Sequence, residues 1–239
     1  MTDTLAEPGY DPRADGPMRK AGDRNVRPRD AATLIIVRRD GPAPRLLMGR
    51  RNGGHDFMPG KWVFPGGRID RADFRAPFAT DLRPEVLARL AKTGPARRMR
   101  ALALSAVRET FEEVGLLLAK PAPARPAAGP WGDFLAMGAE PDLAALDFIA
   151  RAITPPYRPK RFDARFFMAE ADRLISLERG PDCGELDEIA WVDLDEALTL
   201  DLPNITRFVV GELAERLKDP ARPAPYVRFL NGKRKQEHL

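Results

Sequence analysis

Hydrophobic positions fall into short blocks along this chain, and their spacing changes from block to block. ATLIIVRR (32–39) and PRLLMGRR (44–51) are aliphatic, β-branched runs joined by the turn residues DGPA, and they are predicted as two strands. KWVF (61–64) follows the loop NGGHDFMPG (52–60) and reads as a third short strand, ending at Pro65-Gly66-Gly67. LRPEVLARLAKTG (82–94) and ARRMRALALSAVRETFEEVG (96–115) switch to a helical period. Gly94-Pro95 stops the first, and Gly115 stands at the C-terminal position of the second. DARFFMAEA (163–171) and ELDEIAWVDL (185–194) return to strand character, and DLDEALTL and PNITRFVVGELAERLK (203–218) to helix. Strands alternating with helices predict an α/β layered domain.

The flanks differ from this core. Residues 1–29 are rich in Asp, Arg, Pro and Gly with little periodic hydrophobicity, so they are expected to be a disordered or loosely packed tail. The domain is expected over 30–222, with KPAPARPAAGP (120–130) as a linker or surface loop. Residues 223–239 are assigned to a C-terminal tail whose pattern is compatible with either an added strand or a mobile end.

Composition narrows the chemistry. The formal charge is +4 over 239 residues, which suits an anionic small molecule and is too mild to argue for nucleic acid. Cys183 is the single cysteine, which excludes an internal disulfide and a cysteine-based zinc site. Two distant histidines, His55 and His238, leave no histidine-rich metal site. No apolar run reaches membrane-spanning length, the opening MTDTLAEPGYDPRADG does not have the character of an export signal, and the end is EHL rather than SKL. No membrane partner and a cytoplasmic, reducing location are expected.

The informative stretch is RETFEEVG (108–115). Glu109, Glu112 and Glu113 lie three and four positions apart and so share one helix face, where like charges repel unless a cation sits among them. Upstream, FPGGRID (64–70) is a strand running into a double-glycine turn, which brings backbone carbonyls close to a ligand. A carbonyl from that turn plus three glutamates makes a hard, all-oxygen site of the kind that takes Mg²⁺ or Mn²⁺.

These two pieces resemble the signature of the Nudix hydrolases: Gly, five residues, Glu, seven residues, then Arg-Glu-apolar-x-Glu-Glu-x-Gly-apolar. Gly67 takes the first position, and Arg108, Glu109, Glu112, Glu113, Gly115 and Leu116 match the second half. The chain departs from the pattern at Asp73 (for Glu), at Thr110 (for an apolar residue), and in spacing. Residues 74–107 stand where the signature has seven residues, an insertion of 27. A split box, with FMPGKWVFPGG (57–67) and TPPYRPKRFDARFFMA (154–169), is similar to the subgroup that includes the peroxisomal coenzyme A and acyl-coenzyme A diphosphatases.

The resemblance implies a Nudix-type α/β/α sandwich with a mixed β-sheet and a helical insertion within the box. It implies metal-dependent hydrolysis of a diphosphate linkage in a nucleotide-derived small molecule, coenzyme A or an acyl-coenzyme A first, with ADP-ribose or NADH as the alternative. A non-catalytic nucleotide-sensing module is the rival from another class. Glu109, Glu112 and Glu113 would hold metal with the Gly66 carbonyl, and Arg108 would orient the helix by pairing with an acid, Asp73 or one of the glutamates. The general base would be Glu185, with Glu188 and Glu109 as alternatives. Arg50, Arg51 and Arg161 are candidates for phosphate contact, as are Arg158 and Lys160, with Phe57 or Trp62 for base stacking. Residues 74–107 would wall the pocket above the metal. Members of the superfamily are often homodimers, although no pattern here identifies an interface.

Overall fold

The run LIIV is buried on both faces, and the whole architecture is arranged around that fact. In the computed structural model, which describes residues 15–20, 22, 26–54, 58–180, 182–230 and 233–239, it lies in β1 (Arg29–Arg38). The remaining elements in chain order are β2 (Arg45–Arg51), β3 (Trp62–Val63), β4 (Gly66–Arg68), α1 (Pro84–Ala91), α2 (Ala96–Val114), β5 (Ala119–Pro121), α3 (Gly132–Ala136), β6 (Ala139–Pro141), β7 (Asp147–Ile153), β8 (Phe162–Glu170), β9 (Leu186–Asp193), α4 (Leu194–Ala197), α5 (Asn204–Lys218), β10 (Pro225–Leu230) and β11 (Lys233–His238).

The sheet is mixed. Its order is β11-β10-β7-β8-β1-β2-β3, with β4 also pairing β1 and β9 also pairing β2. β1 runs parallel to β8 and antiparallel to both β2 and β4, and β10 runs parallel to β7. Side chains alternate across β1. Ala32, Leu34 and Ile36 pack with Leu102, Ala106 and Val107 of α2, while Ile35 and Val37 pack with Val209, Val210 and Leu213 of α5. A strand buried on both faces needs an apolar residue at every position, and this one reads that way. The result is an α/β/α sandwich.

α2 carries the box, and its sequence accounts for its depth. Ala101, Ala103, Ser105 and Ala106 are small and buried, so the helix approaches the sheet closely. It ends where Gly115 adopts φ 71°, a left-handed conformation that lets the Gly115 N–H reach the Phe111 carbonyl at 2.9 Å.

The ends of the chain contribute more than expected. Residues 223–239, assigned to a tail compatible with either an added strand or a mobile end, form β10 and β11, with Tyr226 and Val227 buried. Within 1–29, Asp15 accepts from the Asn204 backbone N–H at 2.8 Å, and the Arg19 N–H donates to the Tyr157 carbonyl at 2.8 Å. The insertion also departs from expectation. α1 buries Val86 and Leu90 in the same core cluster as α2, and Arg98 is the one residue of 74–107 among those lining the cavity over the box glutamates. The apolar face of α1 is satisfied by the core, so apart from Arg98 the insertion does not wall the cavity.

Candidate active site

The two halves of the split box meet because β4 is the antiparallel neighbour of β1. Thr33 lies opposite Gly66, and Ala32 opposite Gly67. α2 crosses that strand pair, and a Cβ on Gly67 would collide with the Glu109 carboxylate, so glycine there is a requirement of close approach. The Gly66 N–H donates to Glu113 Oε2 at 3.1 Å.

Arg108 is buried and fully engaged. Its Nε and Nη2 donate to the two Asp73 carboxylate oxygens at 2.9 and 3.1 Å, and Nη2 also reaches the Arg68 carbonyl at 3.1 Å. Nη1 pairs with Glu112 at 2.8 Å and Glu109 at 2.9 Å. Burial opposes the guanidinium charge, but Asp73 and the glutamates outweigh it and hold Arg108 above its ordinary pKa. A side chain with every donor direction filled positions the glutamates and does not reach for substrate.

Asp73 has 0% exposure and a further donor that the sequence did not suggest. Trp131, buried in the turn before α3, donates its indole N–H to Asp73 Oδ1 at 2.9 Å, and the Asp70 N–H supplies 2.7 Å to Oδ2. Trp131 also stacks edge-on against Phe134, and Phe134 against Phe111 of α2, both with ring centroids 5.3 Å apart. The only hint in the sequence was a lone tryptophan ending a Pro/Ala stretch; a buried indole needs an acceptor.

The carboxylates are poised. Burial, opposed by Arg108 and helped by Glu112 and Glu185, pushes Glu109 up to about 7. Burial raises Glu112 as well, against the pull of Arg108. Glu113 is held well above the ordinary carboxyl range, first by burial and then by Glu185, with Arg51 opposing. Glu185 therefore faces the box helix. It pairs with Arg51 Nη1 at 2.8 Å, and both line the cavity with Glu109, Glu113, Gly66 and Gly67.

Other expected residues lie elsewhere. Glu188 sits opposite Arg50 across the β9–β2 ladder and pairs with it at 3.2 Å in solvent; Arg50 also pairs with Asp187. Neither Arg50 nor Glu188 lines the cavity, because cross-strand pairing turns them outward to each other. Trp62 packs against the core on the α5 side. Arg158, Lys160 and Arg161 line the far end of the cavity, with Arg158 donating to the Gly16 and Pro17 carbonyls. Phe57 lies outside the described residues.

Among the described residues, no three acidic, histidine or cysteine side chains already converge on one point. Glu109 and Glu112 are turned to Arg108, and Glu113 to the Gly66 N–H. The donor set nonetheless fits a divalent cation: oxygen ligands only, crowded enough to raise one another's pKa, beside a glycine turn.

No family model matches the chain. The human acyl-coenzyme A diphosphatase NUDT19 (Homo sapiens) is 32% identical, over 52% of this chain and 47% of its own length. The chicken (Gallus gallus) protein of the same name is 30% identical, over 67% and 48%. The chain thus spans about half the length of the curated relatives it matches. A Nudix hydrolase of solved structure from Alicyclobacillus acidocaldarius superposes with a TM-score of 0.57 at 28% identity, covering 78% of this chain and 90% of that one. A glycine turn laid against the glutamates of a box helix, in this sandwich and with these likenesses, gives the chain the fold of a Nudix hydrolase.

Proposed function

We propose that this protein hydrolyses the diphosphate linkage of a nucleoside diphosphate derivative, with coenzyme A or an acyl-coenzyme A as the first substrate to test. The observation that carries this reading is the gathering of Glu109, Glu113 and Glu185 around Gly66 and Gly67 at one cavity. The likeness to acyl-coenzyme A diphosphatases supports the choice of substrate.

Glu109, Glu112 and Glu113, with the Gly66 carbonyl, would hold Mg²⁺ or Mn²⁺. Such an ion, when bound, offsets diphosphate charge and lowers the pKa of a coordinated water. The chain's own residues do the rest. Arg108, fixed by Asp73, keeps the Glu109 and Glu112 carboxylates in place. Glu185, held by Arg51, is the base that accepts a proton from the attacking water on a carboxylate oxygen, and Glu109, with a pKa of about 7, is the second group able to do so. A cytoplasmic location accords with a lone exposed, free Cys183.

The test is product formation from coenzyme A, an acyl-coenzyme A, ADP-ribose, NADH and diadenosine polyphosphates with Mn²⁺ or Mg²⁺. Cleavage of the coenzyme A pair ahead of the others is expected. Preference for ADP-ribose or NADH would move the substrate, and metal binding with no turnover on any of them would replace the enzyme by a nucleotide sensor.

A further inference from the structure

Glu185 has a support of its own, separate from Arg108. It stands at the end of the segment that joins β8 to β9, and no described residue from Ile175 to Gly184 is buried. Ile175 and Leu177 are among the exposed hydrophobic side chains of the molecule. With no apolar anchor, hydrogen bonds decide where this segment lies.

Several of those bonds run to the C-terminal end of α2, the box helix. A helix ends in carbonyls that its own residues cannot satisfy. The Cys183 N–H donates to the Glu112 carbonyl at 2.9 Å, the Gly180 N–H to the Gly115 carbonyl at 3.0 Å, and the Ile175 N–H to the Leu117 carbonyl at 3.0 Å. Arg179 Nε donates to the Val114 carbonyl at 3.2 Å. A Cβ on Gly115 would collide with the Gly180 backbone, so the glycine that ends the helix also lets the segment dock. Glu112 thus offers its carboxylate as a candidate metal ligand, while its carbonyl holds the chain two residues short of Glu185.

One side chain closes the turn. Arg179, on the helix end through Nε, gives Nη2 to Asp182 Oδ2 at 2.7 Å, and Asp182 Oδ1 accepts the Gly184 N–H at 3.0 Å. Gly184 adopts φ 71°, a left-handed conformation that delivers the chain to Glu185. A carboxylate that accepts from the backbone two residues on stabilises a turn, and a cation suits a helix C-terminus. An exposed ion pair alone contributes little. Here the same guanidinium also takes a helix carbonyl, and no buried side chain of the segment shares the task. Beyond the turn, Leu186 packs where Gly49 lacks a Cβ, and Arg51 holds the Glu185 carboxylate at 2.8 Å.

We propose that Arg179 is a positioning residue: with Asp182 it clamps the turn before β9 onto the end of α2 and so sets where Glu185 stands relative to the box glutamates. That this place serves proton transfer rests on the diphosphatase reading above; the clamp itself does not.

Amide hydrogen exchange of the full chain, metal-free and followed by NMR, tests the clamp without turnover. In Arg179→Ala the Gly180, Cys183 and Gly184 amides should exchange about tenfold or more faster, while those of β1 stay within about twofold. Asp182→Asn, which keeps an oxygen for the Gly184 N–H, should fall between. Turnover of coenzyme A with Mn²⁺, or of whichever substrate in the panel above is cleaved fastest, then reads the consequence. Arg179→Ala should lower kcat about tenfold with KM within about twofold, and Arg179→Lys should recover part of the loss. In a Glu185→Gln background the alanine substitution should change kcat by less than about twofold. Unchanged exchange at the turn, exchange raised equally throughout the chain (which would assign Arg179 to global stability), or a loss in kcat that multiplies fully onto Glu185→Gln would overturn the proposal. Local loss of protection in Arg179→Ala, with Glu185→Gln close to the wild type in kcat, would count against Glu185 as the base and leave the clamp standing.

Discussion

Trp131→Phe isolates one hydrogen bond in the support of the box. The ring stays aromatic and can still meet Phe134, but the 2.9 Å bond to Asp73 is gone. Asp73 keeps two bonds from Arg108 and one from the Asp70 N–H, so the carboxylate is weakened and not orphaned. A hydrogen bond to a charged group contributes about 1.5–3 kcal/mol, and the smaller ring leaves a void in a site only 3% exposed, for about 1 kcal/mol more. A loss of about 2.5–4 kcal/mol follows, or roughly 5–16 °C in Tm for a chain of this size. Because Arg108 holds Glu109 and Glu112, a looser Asp73 should also weaken metal activation and lower kcat by about tenfold. Urea unfolding measures the first effect, and kcat against metal concentration the second. A double-mutant cycle with Asp73→Asn should show coupling above about 1 kcal/mol. Phe134→Leu, which removes packing and no hydrogen bond, should cost stability without that coupling. Additivity of Trp131→Phe with Asp73→Asn, or a metal response no worse than that of Phe134→Leu, would refute the reasoning.

Two further outcomes follow from the placement of the carboxylates. Glu185→Gln should lower kcat by about a hundredfold or more with KM little changed, whereas Glu188→Gln, at the solvent-exposed pair with Arg50, should stay within about twofold in steady-state kinetics; equal effects would return both to the list of bases. Glu109 is raised to about 7, so below that pH it binds a proton that a cation must displace. The apparent metal dissociation constant should fall as pH rises toward about 7 and level off above it. In metal-free protein the sign is the opposite of a depressed carboxylate: the folded state holds the extra proton, so stability declines between the ordinary glutamate range and about 7, by up to a few kcal/mol. Unfolding and metal titrations at pH 5.5 and 8 that coincide would remove the assignment.

Much of this was legible in residues whose partners are fixed by local geometry. The run ATLIIVRR declared a strand, and RETFEEVG declared one acidic helix face, because strand and helix periods act over a few positions. What remained hidden depends on register between distant segments. Glu185 and Glu188 are three positions apart and look alike in sequence; the pairing of Glu188 with Arg50 across β9 and β2 separates them. Trp131 acquires its meaning from an acceptor 58 residues away. β7 (DFIARAI) mixes Arg and Ala with its apolar residues and acquires its place from β8 and β10 beside it and its burial from the helices on either face. α1 was legible as a helix, but the sequence could not say that its apolar face would turn into the core and not toward the cavity.

The insertion explains why spacing was the weakest part of the signature and geometry the strongest. Lengthening a loop costs free energy only with the logarithm of its length, so 27 added residues between Asp73 and Arg108 are a small penalty. Part of the added chain is not loop at all, since α2 starts at Ala96, twelve residues ahead of Arg108, and α1 buries Val86 and Leu90. Contact distances permit no such latitude. Gly67 has no room for a Cβ beside Glu109, and an Arg108 buried without Asp73 would lose its two-pronged carboxylate partner and keep only Glu109 and Glu112 on one nitrogen, leaving buried donors unmatched. The chain is therefore free to change what lies between the two halves, provided Asp73 still returns to Arg108; the indole of Trp131, arriving from a third segment, holds Asp73 there.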